Sequence, residues 1–497
     1  MKRIISLLLA LLLLLPMIVS CAKNDEDVFD ADNNDVSTSE DSSLLLSDKV
    51  KGVKFNGDDI NIWQVTNASN AAEYFYDMNG DMGNGDVISQ EIYKRNAAVE
   101  EYLDVNINFI DTGSYSSNAA TDCRVYLAAG SSEYDAYELI QWNGINLVIE
   151  GWFQNLDNSK YLDFSGEWWS DDFMDAAEIN GHNYLMAGDV GIDMVSCIAS
   201  IFVNKRLLAN YYGADAYTQL RTMVLEGKWT IDEMTKLAKN TYDDLNNSGT
   251  VDIEDQFGFL SNQSNHVDGW YFGAGGTTIK RDNEGKAVLA MGDEHTIGIM
   301  DRIYHMMYTE SPDDFGHYAG DTEIAGATMT QPVVKKFSMG QTLFCMGFLY
   351  TARNLTNMTD EFAPLPYPKY DTDQDEYHSI IHNIVTLFAI PNSCQKFDQT
   401  SAAFEAMASV GKQQIVPLYY ETVLKIRYLN DAEDAQLIDL IYNSRMSDIG
   451  VIFSTRAFEI PRYMIQYKMK NMPWYLETHA GTIQEQLNQI NGVDFAG

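Results

Sequence analysis

Along Asp59-Ile60-Asn61-Ile62-Trp63-Gln64-Val65 polar and apolar positions alternate, the spacing that lays one side of a strand against a core. The spacing then lengthens. Ile88, Ile92, Val99 and Leu103 share one face of a predicted helix over residues 87–103, with Asp86 placed to cap its N-terminus. Alternation returns over residues 105–110, residues 125–129 read as helical, and residues 134–140 as a further short strand. Strand, helix, strand, helix, strand is the pattern of a parallel sheet with helical crossovers. In such sheets ligands bind in the crevice beyond the carboxyl ends of the strands. Further on, residues 197–204 read as a strand, and residues 343–346 and 384–390 as short buried strands. A helix is predicted over 230–245, opened by a capping box of Thr230 and Glu233, with more over 296–308, 401–410 and 432–443. The pattern predicts an α/β chain of two lobes that crosses between them more than once. Lobe 1 is about 58–195 plus part of 360–430; lobe 2 is about 200–355 plus the C-terminal helices.

The first residues follow a different rule. Lys2 and Arg3 precede an apolar run from Ile4 to Val19, broken only by Ser6 and Pro16. That run fits a signal-peptide core and is short for a membrane span. It ends at Ser20-Cys21, which resembles the bacterial lipobox, so residues 1–20 are read as a signal peptide and Cys21 as the acylated N-terminus. Residues 21–57 are acidic and rich in Asn, Asp and Ser, a tether rather than a domain, which leaves 58–497 for the lobes. Across 497 residues, 72 Asp and Glu against 33 Lys and Arg give a net charge of −39. That excludes a nucleic-acid partner, whose phosphates need a basic surface, and suits a monomer kept apart by self-repulsion. Cys123, Cys197, Cys345 and Cys394 sit in apolar contexts and read as buried free thiols.

A series of phrases then occurs in a telling order: Gly85-Asp86-Val87-Ile88, Tyr134-Asp135-Ala136-Tyr137, Asn180-Gly181-His182-Asn183-Tyr184, Phe202-Val203-Asn204-Lys205, Lys228-Trp229-Thr230-Ile231-Asp232-Glu233-Met234, Phe337-Ser338-Met339-Gly340-Gln341-Thr342-Leu343-Phe344, Phe362-Ala363-Pro364-Leu365-Pro366 and Tyr419-Tyr420-Glu421-Thr422. Together, over roughly residues 58–455, they resemble the family 1 extracellular solute-binding proteins of ABC importers, the maltose-binding group, and above all its long lipoprotein versions from Gram-positive gut bacteria. The resemblance implies a two-lobed periplasmic-binding-protein-like fold with a hinge and an interlobe cleft. It implies capture of a carbohydrate, an oligosaccharide above all, by lobe closure, delivery to an ABC permease, no enzymatic activity, and a place on the extracytoplasmic face of the cell membrane, held by lipid on Cys21.

With 8 Trp and 29 Tyr the chain is rich in flat rings, which stack on the apolar faces of sugars while polar side chains take the hydroxyls. The candidates lie after strands: Trp63 with Asn67, Trp142 and Asn143, Trp270 and Tyr271 in a glycine-rich loop, and Tyr350 with Arg353 one helical turn on. Asp193, near the hinge, is a candidate acceptor. A separate motif over residues 244–255 places Asp244, Asn246, Ser248, Thr250, Asp252 and Asp255 at the oxygen-ligand positions of a calcium loop, with glycine at the sixth. A structural Ca2+ there is the one cofactor expected. No Gly-x-Ser-x-Gly, His-Glu-x-x-His or phosphate-cradling glycine loop is present. Two alternatives remain: a surface glycan-binding lipoprotein of another fold, and a secreted glycoside hydrolase.

Overall fold

The computed structural model describes residues 46–65, 77–83, 85–239, 241–249, 254–262, 265–310, 316–318, 331–427, 432–454 and 458–493. Alternation over β1 (Asp58–Gln64) buries Ile60 and Ile62 completely, and Asp86 caps α1 (Val87–Leu103) by accepting from the Ile88 and Ser89 amides at 2.9 and 3.2 Å. There follow β2 (Val105–Asp111), α2 (Ala119–Ala128), β3 (Ala136–Ile140), α3 (Gln141–Ile149), α4 (Asp193–Ser196), β4 (Ala199–Asn204), α5 (Ile231–Ala238), β5 (Phe257–Ser261), α6 (Asn265–Gly273), β6 (Gly316–Tyr318), β7 (Thr342–Phe348), α7 (Thr351–Asn354), β8 (Phe362–Leu365), β9 (Thr386–Ala389), α8 (Phe397–Pro417), α9 (Ile449–Ile452) and α10 (Ile460–Gln466).

The first sheet has the order β9-β3-β1-β2. β1 runs parallel to β2, with Gln64 opposite Asp111, and parallel to β3, with Trp63 opposite Tyr137; β9 returns antiparallel, with Phe388 opposite Glu138. One face stacks Trp63 on Tyr137 at 6.1 Å, and the other packs Phe388 against Phe404 of α8 at 4.9 Å. The second sheet has the order β8-β4-β7-β5-β6, with β4 antiparallel to β8 and β7, and β5 parallel to β7 and β6. Every residue of β4 and β7 is buried, as expected of strands covered on both faces. The chain therefore leaves the first sheet after α3, builds the second from β4 to β8, and returns with β9 and α8.

Two expectations are corrected. The helix read over 230–245 ends at Ala238, although its cap forms, Thr230 Oγ1 accepting from Glu233 N at 3.3 Å. Beyond it Lys239 is extended, Thr241 Oγ1 donates back to Ala238 O, and Asp243 pairs with Gln256 through two backbone hydrogen bonds. Tertiary pairing takes the backbone groups that a longer helix would have used. Trp270 and Tyr271 lie on α6, not in a loop. Gly269 there is a packing residue: a Cβ would stand 2.3 Å from Tyr367 Cζ, and the Tyr367 ring meets Trp270 edge-on at 5.3 Å. The four cysteines are free and buried.

Candidate functional site

The carboxyl end of β3 lies beside one of the segments that link the sheets. At this hinge Ile198 bridges Ile381, His382 N donates to Cys197 O at 2.9 Å, and Tyr350 N donates to Ser196 O at 2.8 Å. α3 begins against the same place, since Gln141 N donates to Val385 O at 3.0 Å and Trp142 N to Asn383 O at 2.9 Å. Asp86 of the first lobe and Arg353 of the second face each other with Oδ2 and Nη2 4.0 Å apart.

On the lobe 1 side the register sets Gln64, Asp111 and Glu138 side by side on one face. Gln64 Nε2 donates to Asp77 Oδ1 at 3.2 Å, and Asn79 Nδ2 donates to Gln64 Oε1 at 3.4 Å and to Phe109 O at 3.0 Å. Asp193, the first residue of α4, accepts the Thr386 amide on Oδ2 at 3.0 Å. Glu138 Oε2 and Asp193 Oδ1 are buried and have no hydrogen-bond partner. Burial drives the Glu138 carboxyl well above the usual range, and Asp193, Asp77 and Asp111 push it further while the Gln64 amide opposes. Burial raises Asp193 to about 6 against the pull of Thr386. In the first turn of α3, Gln141 Nε2 donates to Val451 O of α9 at 2.9 Å and Asn143 Nδ2 to Ser116 O at 2.7 Å, leaving Gln141 Oε1 and Asn143 Oδ1 as buried acceptors without a donor. Trp142 between them is 39% exposed, enough to offer a ring face.

The lobe 2 side is aromatic. Phe348 stacks on Tyr350 at 5.4 Å and lies 4.3 Å from the ring of His382. Burial holds His382 well below the ordinary histidine pKa, and His266 falls to about 3 for the same reason. Burial thus favours the neutral form of both rings, and Asn265 Nδ2 lies 2.6 Å from His382 Nε2.

Of the residues singled out by sequence, Trp142, Asn143, Asp193, Tyr350 and Arg353 come together around the hinge. Trp63, Trp270 and Tyr271 do not: all three are 0% exposed, packed in the cores of their lobes with no ring face open to a ligand. Asn67 lies outside the described residues, as do Cys21 and the signal segment. Gln64, Asp77, Glu138 and His382 were missed. For Glu138 a signal existed, a lone acid within an otherwise apolar buried strand.

The acidic loop forms a tight turn. Asp244 accepts the amides of Ser248 at 3.1 Å and Gly249 at 2.9 Å, Asn246 accepts that of Ser248 at 2.9 Å, and Gly249 takes the left-handed φ of +74° that favours glycine. Asp255 is buried and accepts from Tyr242 Oη at 2.7 Å. Thr250 and Asp252 lie outside the described residues. Among the described residues, no group of three or more His, Cys, Asp or Glu is disposed to hold a metal ion, and no helix is long and apolar enough to cross a membrane.

No protein-family model matches the chain, and no curated protein matches it significantly. Solved structures do match in fold. A cyclo/maltodextrin-binding protein in complex with maltotetraose is 12% identical, with 88% of this chain and 98% of that one covered and a TM-score of 0.54. The GacH receptor of Streptomyces glaucescens, solved unliganded and with acarbose, is 12% identical over 87% and 98%, with a TM-score of 0.52. UgpB from Mycobacterium tuberculosis, in complex with glycerophosphocholine, is 13% identical over 87% and 98%, with a TM-score of 0.52. The chain thus has the two-lobed, periplasmic-binding-protein-like fold of solute-binding proteins of the maltose-binding type.

Proposed function

We propose that this chain is an extracytoplasmic binding protein that closes its lobes on a carbohydrate, an oligosaccharide above all, and hands it to an ABC permease, tethered to the membrane by lipid on Cys21. The observation that carries the reading is the composition of the hinge-side wall. Trp142, 39% exposed, is flanked in sequence by Gln141 and Asn143, whose Oε1 and Oδ1 are donor-free acceptors, and Glu138 and Asp193 carry two more. A sugar offers the complement, a flat C–H face and a ring of hydroxyl donors. Sharing a fold with proteins solved with maltotetraose and acarbose supports the reading. A ligand that touches both lobes favours the closed state by its differential affinity, and a permease can read that state.

The test is thermal unfolding of the chain from residue 22 onward against oligosaccharides, amino acids, peptides and glycerophosphodiesters. A ligand that binds only the folded state at about a hundred times its Kd stabilises by about 2.7 kcal/mol and raises Tm. The expected result is a shift with one saccharide class, lost in Trp142→Ala, with no cleavage of the sugar. A shift with peptides or glycerophosphodiesters alone overturns the carbohydrate assignment. Labelling of the wild type but not of Cys21→Ala by a fatty-acid analogue tests the anchor. The loop over residues 244–255 is proposed to hold a structural Ca2+; a chelator should then lower Tm in the wild type and not in Asp244→Ala.

A further inference from the structure

We infer that the Glu138–Asp193 pair at the hinge is a subsite for a positively charged amino group, so that the saccharide held in the crevice is an amino sugar. The inference rests on the carbohydrate reading above and names its ligand class. Glu138 is 7% exposed and Asp193 3%, yet each keeps one carboxyl oxygen with no hydrogen-bond partner. A buried polar atom left in that way costs free energy until a donor reaches it.

Among the described residues, the groups around the pair offer no positive charge to balance it. β1 contributes the neutral Gln64, β2 contributes Asp111, the segment before α1 contributes Asp77 and Asn79, and β9 contributes the Thr386 amide. Arg95 of α1 is the buried base of this lobe, but it donates to Val190 O at 2.8 Å, Met407 O at 3.3 Å and Asn96 Oδ1 at 2.7 Å, not to a carboxylate. Elsewhere several buried acids are paired with a base. Asp434 meets Lys205 at 2.6 Å, Asp135 meets Lys396 at 3.2 Å, and Asp268 meets Arg462. Among the described residues, Asp448 and Glu405 are buried without a cation as well, each held by neutral donors (Thr278 and Trp169); Glu138 differs from them in having three further acids, Asp193, Asp77 and Asp111, around it.

A hydroxyl would give these oxygens a donor and leave the negative charge uncompensated. A protonated amine gives three donors and the charge together. When the crevice is empty, protons take that place, consistent with the raised carboxyl pKa values. Binding would then release protons as the ammonium replaces them.

The experiment is isothermal titration, at a pH where the amine is protonated, of the chain from residue 22 onward with four probes: a fully deacetylated glucosamine tetramer, its N-acetylated counterpart, a neutral glucose tetramer, and spermidine. The expected result is that the amino tetramer binds roughly tenfold or more tighter than the other two saccharides, with proton release seen as a dependence of the enthalpy on the buffer. Glu138→Gln should bring that ratio to about one by weakening the amino tetramer more than the neutral one; Asp193→Asn, a second neutral isostere, should act in the same direction and guards against a folding defect in the first. Equal affinity for amino and neutral tetramers overturns this inference and leaves the carbohydrate reading standing. A preference that survives both substitutions overturns the assignment to this pair. Spermidine binding as tightly as the amino tetramer overturns the sugar part of the inference, and no binding by any saccharide overturns the underlying reading with it.

Discussion

Both lobes bury acid near the hinge, and they balance the charge in opposite ways. In lobe 2, Asp268 of α6 receives Arg462 Nε of α10 at 2.9 Å on both oxygens, and Glu459 takes Nη1 at 2.8 Å. In lobe 1, Glu138 and Asp193 face further acids and keep donor-free oxygens. A hydrogen-bonded buried ion pair is fixed, because removing either member strands the other's charge. A buried carboxyl with no cation is instead free to exchange its proton for another donor. The contrast separates an acid that holds the fold from acids that are available to an occupant.

The largest effect should come from breaking the paired acid. Arg462→Met leaves Asp268 buried and alone, and should cost about 3–5 kcal/mol in urea unfolding. Glu138→Gln keeps the shape and replaces a carboxyl that burial holds protonated with a neutral amide, and should change stability by about 1 kcal/mol or less, in either direction. Equal costs would erase the distinction between the two acids. The rings repeat the test. Trp270→Ala empties a core position and should cost about 3–5 kcal/mol, whereas Trp142→Ala, at a 39% exposed residue, should cost about 1 kcal/mol and show mainly as lost ligand affinity.

The pH dependence comes next in size. Burial lifts Asp193 from 3.8 to about 6, so the folded state keeps a proton that the unfolded chain has lost. Its stabilisation is full below about pH 4 and disappears as pH rises through about 6, by roughly 3 kcal/mol in all. Asp448, also raised to about 6 by burial, acts with the same sign. His266 and His382 act oppositely, because burial keeps them neutral when folded, and their stability is lost as pH falls below the usual histidine range. The informative quantity is therefore a difference. Stability of Asp193→Asn minus that of the wild type should rise by a few kcal/mol between pH 4 and pH 7. No change in that difference would mean that Asp193 is charged in the folded protein.

The α/β pattern was legible because each lobe repeats it locally. The period-two run at β1, the capped helix α1 and the run at β3 need no distant residue to be read. The crevice was legible only as a place, after strands. Trp142 and Trp63 are both aromatic and both close to strand ends, yet Trp63 is still inside β1 and faces Tyr137 in the core, while Trp142 lies in the first turn of α3, beyond the last strand residue. Glycine misled at 269, where it makes room for Tyr367 rather than for a turn. The acid pair was out of reach, since the late-returning β9 both lies opposite Glu138 through Phe388 and donates its Thr386 amide to Asp193.

The smallest effect concerns the contact that crosses the crevice. Arg353 and Asp86 stand 4.0 Å apart with side chains 40% and 26% exposed, so solvent screens most of their attraction. Asp86 also caps α1, which makes Asp86→Ala a poor probe, since losing the cap alone costs about 1 kcal/mol. Asp86→Asn keeps an acceptor for the cap and removes the charge. With Arg353→Gln and the double variant it forms a cycle that isolates the pair, expected to contribute about 0.5 kcal/mol or less to unfolding. The pair joins the two lobes, so the same coupling should reappear in ligand affinity as a change of about twofold, readable by titration at low salt and gone at high salt. A coupling in affinity much larger than that in unfolding would mean that the occupant itself meets Arg353, and lobe 2 would then contribute a charge of its own to the site that lobe 1 leaves acidic.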